Sequence, residues 1–540
     1  MTTFVPRVVA WIAAALVTGV LASLVQTQFS LAELLRLGTP IPMSLRWLTT
    51  LEDAARFAPV MGGVGALALV PALLVARVTR GRRRLAWTAV TGAAGMGTAL
   101  WLMASVIPMP PIAGSRTAAG LLAMAASGLA GGAVYAGLTA GVRRRNAPAS
   151  GPAGTSRRRR GLWAGIGLAL TPVIAFLAMF PWSEDGPARV DPARYAVQTV
   201  LSGLERPWSL AFLPDGRLLV TEMQGRLRTV APDGSVGEIA FSPGLAVFQQ
   251  RGVIGLMEVA VDPAFARNGW VYLTMGYGAP GANGIRLVRG QLQGDTLTDL
   301  QEIYRTTPKE ALGNNGGRLA FLPDGTILMT VGDGNLHREA AQVLDNDLGA
   351  VVRLDRDGQP LADNPFRRQP GAQPALFSVG HRNAQGIAVD AATGEIWLTE
   401  HGPRGGDEIN RVQAGRNYGW PVVTGGIDYP FARVSPYERL EGFEAPVLEW
   451  TPSIAPAGLA IYDGELFAGW QGDLLVPALR ARSLYRVKRE AGRVVGQERL
   501  LSELGERLRD VRVAPDGALL VLTDGPDARL LRVTPRQPGP

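Results

Sequence analysis

One pattern recurs six times in the chain beyond about residue 190. A Pro-Asp-Gly or similar turn is followed by four or five apolar residues and then Thr or Asp. It is read at LPDGRLLVTE (from Leu213), DPAFARNGWVYLTMG (from Asp262), LPDGTILMTVGD (from Leu322), DAATGEIWLTEHG (from Asp390), YDGELFAGWQGDLLVPAL (from Tyr462) and APDGALLVLTDG (from Ala514). A tight turn followed by a short apolar run is how a hairpin strand is written in sequence. The copies lie roughly 50 to 70 residues apart, enough for one four-stranded sheet each. Six such units predict an all-β six-bladed propeller rather than a β-sandwich. Loops from every blade of such a ring meet at one mouth, so residues far apart in sequence share a site.

The first third of the chain reads differently. Apolar runs long enough to cross a bilayer lie near residues 8–31, 60–76, 85–107, 118–142 and 161–182. These predict an α-helical transmembrane domain of about five spans over residues 1–185, followed by the propeller over 186–540. A cleaved signal peptide explains the first run less well, because further spans follow it. The spans carry no ionisable residue near their centres, where proton and ion paths place them. An anchor in the lipid bilayer is therefore the plain reading of this half.

Charge sets the orientation. Up to Arg189 the chain holds 18 arginines against 5 acidic residues, and the remainder holds 36 basic against 41 acidic residues. The basic excess thus borders the apolar segments and is no phosphate-binding face, which argues against a nucleic-acid partner. The arginine clusters at 77–84, 143–145 and 157–160 should face the cytoplasm. Residues beyond 182 then lie outside, giving a multi-pass protein of a bacterial inner membrane with its propeller in the periplasm. The absence of cysteine excludes disulfides, thiolate metal sites and iron–sulfur clusters.

Chemistry concentrates in residues 380–421, GHRNAQGIAVDAATGEIWLTEHGPRGGDEINRVQAGRNYGWP. Two of the three histidines, His381 and His401, fall here, with Arg382, the Gly402-Pro403 turn, Asp407, Glu408, Tyr418 and Trp420. Functional groups flank one strand at both ends, which is how a rigid scaffold presents a site. Arg480 and the Arg507–Arg509 pair add guanidinium forks that suit carboxylates. Each could equally pair with a blade carboxylate. Asp407 and Glu408 are ligand types for a hard cation, or simply a surface turn. No P-loop, G-x-G-x-x-G or nucleophile elbow is present.

Several segments together carry a family resemblance: LERPWSLAFLPDGRLLVTE, GGRLAFLPDG with its following GDG, DNPF, GHRNAQG through NYGWP, WTPSIAPAGLA and GERLRDVRVAPDG. The chain from about Leu201 to Val533 resembles the glucose/sorbosone dehydrogenase family, the soluble quinoprotein sugar dehydrogenases that include the aldose sugar dehydrogenases. The resemblance implies a six-bladed propeller binding pyrroloquinoline quinone (PQQ) and calcium (Ca2+), and oxidation of an aldose or related alcohol. Electrons would pass to a membrane quinone or a cytochrome. By resemblance, Arg382 and Asn383 contact the quinone, and Arg507 and Arg509 hold its carboxylates. Arg480 stands where the family often has lysine. The carbonyls of Gly402 and Pro403 would ligate the calcium, and Asp428 a second, structural one.

The chain departs from the family on the substrate side. The family's general base is a histidine immediately before F-G-G-R-L, and here Asn314 holds that position. Asparagine takes no proton at useful pH, so His337, in the loop after Gly332-Asp333, is the candidate substitute. Val253 stands where the family has a glutamine. A quinoprotein-like binder or sensor without turnover is thus a second reading. A calcium-only propeller hydrolase is a third, against which the cofactor arginines argue.

Overall fold

The structure is a computed structural model that describes residues 4–106, 113–144, 187–241, 246–250, 252–336 and 338–536. It separates into two compact units. One comprises Met1–Glu184 with Ile427–Pro436, the other Asp185–Gly426 with Tyr437–Pro540.

The first unit is helical. Its helices are α1 (Phe4–Arg36), α2 (Met43–Arg56), α3 (Ala58–Ala68), α4 (Val70–Val78), α5 (Gly81–Val106) and α6 (Ala118–Arg144). Among the described residues two stretches, Val5–Arg36 and Ala118–Ala140, are long and apolar enough to cross a membrane. The α3–α4 pair, bent by 44°, makes a third if it counts as one span. Both of these short helices carry a proline in their first turn. Pro71 lacks an amide hydrogen, so the helix cannot run on unbroken through this point. The third predicted run does form α5, but Gly92, Gly95, Gly97, Thr91 and Thr98 dilute its apolar content, and α5 is not among these spans. The fifth predicted run lies outside the described residues.

Small residues pack this unit. A Cβ added to Gly92 on α5 would run into the carbonyl oxygen of Gly128 on α6, and the reverse holds for Gly128. Glycines at such points let two helix backbones approach closely. The segment Ile427–Pro436 packs with these helices: Ala432 joins a buried cluster with Phe57, Met61 and Met124. The buried Asp53 of α2 accepts hydrogen bonds from the Arg433 amide at 2.8 Å and from Thr27 Oγ1 at 2.7 Å.

The second unit is built from strands. Four antiparallel neighbours run β3 (Pro207–Phe212), β4 (Leu218–Glu222), β5 (Arg226–Val230) and β6 (Val236–Phe241). The next four are β7 (Leu256–Val261), β8 (Trp270–Ala279), β9 (Ala282–Gln293) and β10 (Thr296–Arg305). These two sets merge into one eight-stranded sheet, but only through the short β6–β10 contact, Ala240 with Thr296 and Phe241 with Leu297. Separate four-stranded sheets follow: β11 (Gly316–Phe321) to β14 (Leu376–Val379), with β12 (Ile327–Val331) and β13 (Ala350–Leu354) between, then β15 (Ala384–Val389), β16 (Ile396–Glu400), β17 (Asp407–Val412) and β18 (Leu448–Trp450).

Next come β19 (Ala460–Ile461), β20 (Leu474–Ala478), β21 (Ser483–Glu490) and β22 (Arg493–Leu500), edged by the two-residue β1 (Ala188–Arg189). The last sheet holds β23 (Leu508–Val513), β24 (Leu519–Thr523), β25 (Ala528–Pro535) and, outermost, β2 (Tyr195–Leu204). The chain's early strand therefore completes its final sheet, pairing from Tyr195 with Pro535 to Leu204 with Ala528.

The six copies of the turn pattern lead into β4, β8, β12, β16, β20 and β24, the second strand of each set. Both faces of these strands are buried. On β4, Leu218 and Val220 pack against Leu520 and Leu522 on one side, while Leu219 packs against Val259, Val271 and Leu273 on the other. The two-residue period sends alternate side chains to opposite neighbouring sheets. Each buried leucine contributes about 1.5–3 kcal/mol, so Leu219→Asp would drive neighbouring sheets apart. The first strands β3, β7, β11, β15, β19 and β23 contact one another in turn, with β23 returning to β3. The unit is propeller-like, with its site at the starts of these first strands.

Candidate functional site

The axis is closed by a buried ion network. Arg318 of β11, 2% exposed, donates to Glu258 of β7 at 3.0 Å and to Asp510 of β23 at 3.1 Å. Its Nε donates to the Gln385 carbonyl of β15 at 2.7 Å, and its guanidinium stacks 3.9 Å over Trp208 of β3. Arg512 adds a second cation, 2.8 Å from Glu258. One guanidinium thus ties its own first strand to four others. A fork of five donors suits this better than any other side chain.

The 380–383 loop sits beside this network. His381 is fully buried, stacked on Tyr418 with ring centroids 4.7 Å apart, and its Nδ1 lies 2.9 Å from Glu400 Oε1. Glu400 Oε2 accepts the Arg382 amide at 2.7 Å. The strand-end glutamate and the histidine together fix the backbone from which Arg382 projects. Arg382 Nη1 then donates to the carbonyls of His401 and Gly402, each at 3.0 Å. Asn383 Oδ1 accepts the Gly316 amide at 3.2 Å, tying this loop to the start of β11.

Three predicted arginines converge on His401. Its Nε2 lies 2.6 Å from the Pro456 carbonyl, which can only accept, so Nε2 carries the proton. Burial, together with the charges of Arg382, Arg509 and Arg507, pulls its imidazole down to about 3. The ring is neutral throughout the physiological range, chiefly because it is buried. Asp524 partly answers it: Oδ2 takes Arg507 Nε at 2.7 Å and Oδ1 takes Arg509 Nη2 at 3.0 Å. Arg480 lies apart from the three, donating from its exposed side chain to the Ser453 carbonyl at 2.9 Å.

Asn314 stands where the resemblance sets the family's base. Asn314 is 8% exposed, adopts a left-handed backbone (φ 48°), and donates from Nδ2 to Asp333 Oδ1 at 2.8 Å. Asparagine tolerates that conformation better than most residues. Asp333 also accepts the Asn335 amide at 2.8 Å and, through Oδ2, Trp420 Nε1 at 2.8 Å. Burial pushes the Asp333 carboxyl up from its ordinary range, with the charge of Arg382 opposing.

The remaining predicted residues are scattered. Gly402 donates its amide to Asp407 Oδ1 at 2.9 Å, and Pro403 is buried beside it. Among the described residues no three His, Cys, Asp or Glu side chains gather into a metal site. Asp428 belongs to the segment that packs with the helices, where its charge helps raise Asp53. His337 lies outside the described residues. Val253, 42% exposed, accepts Asn315 Nδ2 at its carbonyl at 3.0 Å.

Residues 204–532 match the family model described as Glucose / Sorbosone dehydrogenase. The chain belongs to the glucose/sorbosone dehydrogenase family. It is 38% identical over 352 residues to the aldose sugar dehydrogenase YliI of Escherichia coli, spanning 64% of this chain and 94% of that one. The solved apo-form of the soluble aldose sugar dehydrogenase from Escherichia coli superposes with a TM-score of 0.61 at 36% identity, covering 63% of this chain and all of that one. A PQQ-bound aldose sugar dehydrogenase from Streptomyces coelicolor superposes with a TM-score of 0.52 at 29% identity, covering 65% of this chain and all of that one. The helices before residue 187 lie outside the family match.

Sequence reading alone assigned no role to Arg318, Asp333, Trp420 Nε1 or Asp524. Arg318 and Asp333 nonetheless lie inside recognisable motifs, GGRL and GDG. The signal available was an ionisable residue in an otherwise apolar strand or directly after one, where burial without a partner costs too much to be accidental.

Proposed function

We propose that this protein is a membrane-anchored, PQQ- and calcium-dependent dehydrogenase that oxidises an aldose or related alcohol on the periplasmic side. The observation that carries the reading is the gathering of Arg382, Arg507 and Arg509 around His401, where burial first and then the charges of these arginines lower the imidazole. Three guanidinium groups, two of them sharing Asp524, make a net positive locality, which fits a ligand bearing several carboxylates. Arg507 and Arg509 would hold its carboxylates, and Arg382 and Asn383 its quinone side. Arg480 adds charge at the rim.

PQQ, when bound, would supply a quinone that accepts two electrons in the form of a hydride. The chain's own residues bind and orient it, and His401, kept neutral, offers an uncharged wall among the cations. The Gly402 carbonyl already accepts from Arg382, but a carbonyl oxygen has a second lone pair for a cation. Gly402 and Pro403 are therefore compatible with the calcium reading, which rests on the family resemblance, as does Asp428 for a second ion. The same reading takes the eight-stranded sheet as two blades, making six in all, and takes the N-terminal unit as five spans anchored in an inner membrane. Electrons would leave to a membrane quinone or a cytochrome.

A second reading is favoured by one observation. Asn314 occupies the base position and cannot accept a proton, which suits a PQQ binder or sensor without turnover.

The test is titration of the full-length protein in detergent with PQQ and calcium, followed by aldoses and alcohols while the quinone absorbance is watched. Binding followed by substrate-dependent bleaching supports the dehydrogenase. Binding without bleaching across the panel supports the binder. A protein that takes up no PQQ contradicts both.

A further inference from the structure

A dehydrogenase with Asn314 at the base position needs another proton acceptor, and among the described residues one titratable group bonds Asn314 and a second packs against Gly334, which bonds it. Asp333 is the nearer, yet it is 1% exposed and its two oxygens already receive three donors, from Asn314, Asn335 and Trp420. Two of these donors sit on Oδ1 and the third on Oδ2, so the carboxylate is held as a hydrogen-bond acceptor. The other group is Lys309.

Lys309 is one of only two lysines in a chain with 52 arginines, the other being Lys488. Lysine is the cation that can become a neutral amine; arginine cannot. Lys488 is partly exposed and paired with Glu498 at 2.6 Å, an ordinary strand-to-strand ion pair. Lys309 is 8% exposed and forms no ion pair within 4 Å among the described residues.

The position of Lys309 is tightly fixed. Its backbone exchanges both hydrogen bonds with Asn283 of β9, at 2.9 and 2.7 Å. Its Nζ donates to Asn283 Oδ1 at 3.0 Å and to the Ala311 carbonyl at 2.7 Å. Those two acceptors use two of the three free tetrahedral positions on the nitrogen. The third holds a hydrogen in the ammonium form and the lone pair in the amine form.

Lys309 also lines a cavity of about 220 Å³ together with Asp333, Glu310 and Gly334. Gly334 bridges to the base position: its amide donates to the Asn314 carbonyl at 3.2 Å, and a Cβ on it would meet the Lys309 chain at 2.7 Å. We propose that Lys309 is the catalytic proton acceptor of this site, taking the hydroxyl proton that Asn314 cannot.

The inference rests on the dehydrogenase reading above. In the step, the substrate O–H bond breaks and an N–H bond forms at Nζ. The C–H bond breaks with its electron pair, which leaves as hydride to a two-electron quinone acceptor, and the carbon–oxygen bond becomes a carbonyl. The proton later passes from Nζ to water. Burial supports the role by lowering the ammonium to about 8, with the Asp333 charge opposing. The charged groups facing Lys309 are Asp333, after β12, and Glu310, its chain neighbour on the cavity wall; Asn283 from β9 is neutral. Arg382 acts on Asp333 from the far side.

The experiment uses full-length protein labelled with 13C at the lysine ε-carbons, which gives two signals, assigned by Lys488→Arg. Lys309 is expected to titrate about two pH units below an ordinary lysine. A Lys309 signal titrating near 10 overturns the proposal whether or not the protein is active. In PQQ-loaded protein, kcat/KM should fall below about pH 8 with a slope of one proton. Lys309→Arg and Lys309→Gln should each lower kcat by about 10² to 10⁴ while still taking up PQQ. Asn314→His in the Lys309→Arg background should restore turnover with its limb moved to lower pH, which a merely structural lysine would not permit. Loss of turnover in His337→Ala, with Lys309→Gln still active, would hand the role to His337 and overturn the proposal. Turnover only in Asn314→His would do the same while leaving the cofactor reading standing. Failure of every variant to take up PQQ would remove the dehydrogenase reading itself.

Discussion

Asn314 Nδ2 donates to Asp333 Oδ1 at 2.8 Å, so the residue that the resemblance sets at the family's base position is held as a hydrogen-bond donor. The asparagine supports a buried carboxylate, one of three donors that keep it satisfied. Asn314→Ala removes that donor without replacing it. We expect a loss of about 1–3 kcal/mol in stability, measured as a lowered thermal midpoint. An unchanged midpoint would mean that Asp333 does not depend on this bond.

Arg318 should prove the most sensitive residue on the axis. Arg318→Met leaves Glu258 and Asp510 buried beside one remaining cation, Arg512. Removing one partner from a buried ion network costs about 3–5 kcal/mol. Arg318→Lys keeps the charge but not the fork, and should recover only some of the loss. Equal melting curves for the methionine variant and the wild type would show that the network is dispensable.

Cofactor affinity should depend on Arg509 more than on Arg480. Arg509 is mostly buried and close to His401, whereas Arg480 is exposed and bonded to Ser453. Arg509→Gln is expected to raise the Kd for PQQ by roughly tenfold to a hundredfold, the range of one lost charge-assisted hydrogen bond. Arg480→Gln should raise it less. The reverse order in a PQQ titration would move the carboxylate cradle to the rim.

Asp347 should make stability depend on pH in a predictable direction. Burial pushes its carboxyl upward, while Tyr304 Oη at 2.7 Å and the Thr307 amide at 2.8 Å oppose the shift. A carboxyl raised in the folded state contributes stability that is fully present below the ordinary value near 3.8. That contribution is lost as pH rises through the elevated value. Asp347→Asn should abolish this component, so the wild type should be stabilised relative to the variant at acid pH. Thermal midpoints of the two proteins across pH 4 to 7 give the comparison, and a constant difference would refute it.

Much of the fold was legible because strand sets repeat a local signal. The Pro-Asp-Gly turns led to β4, β12 and β24 without any knowledge of packing, since a turn and an apolar run need only near neighbours. The site was only partly legible, for the opposite reason. His381 and Arg382 stood out because they fall in one dense motif. Lys309, Asp333 and Arg318 belong to the site through burial and through partners up to 192 residues away. Neither property is local. Residue type alone also could not tell that Arg480 would bond a carbonyl at the surface while Arg509 faced His401.

The pairing of β2 with β25 sets a constraint on the order of synthesis. The last sheet lacks its outer strand until Tyr195 and Pro535 are both available, so β2 leaves the ribosome long before its partner exists. Throughout that interval the nascent chain carries an open strand edge, the kind of surface that pairs with the wrong neighbour. Maturation of the ring is therefore tied to completion of the polypeptide, and a chain halted short of β25 would be left with an exposed edge for proteases and chaperones to recognise.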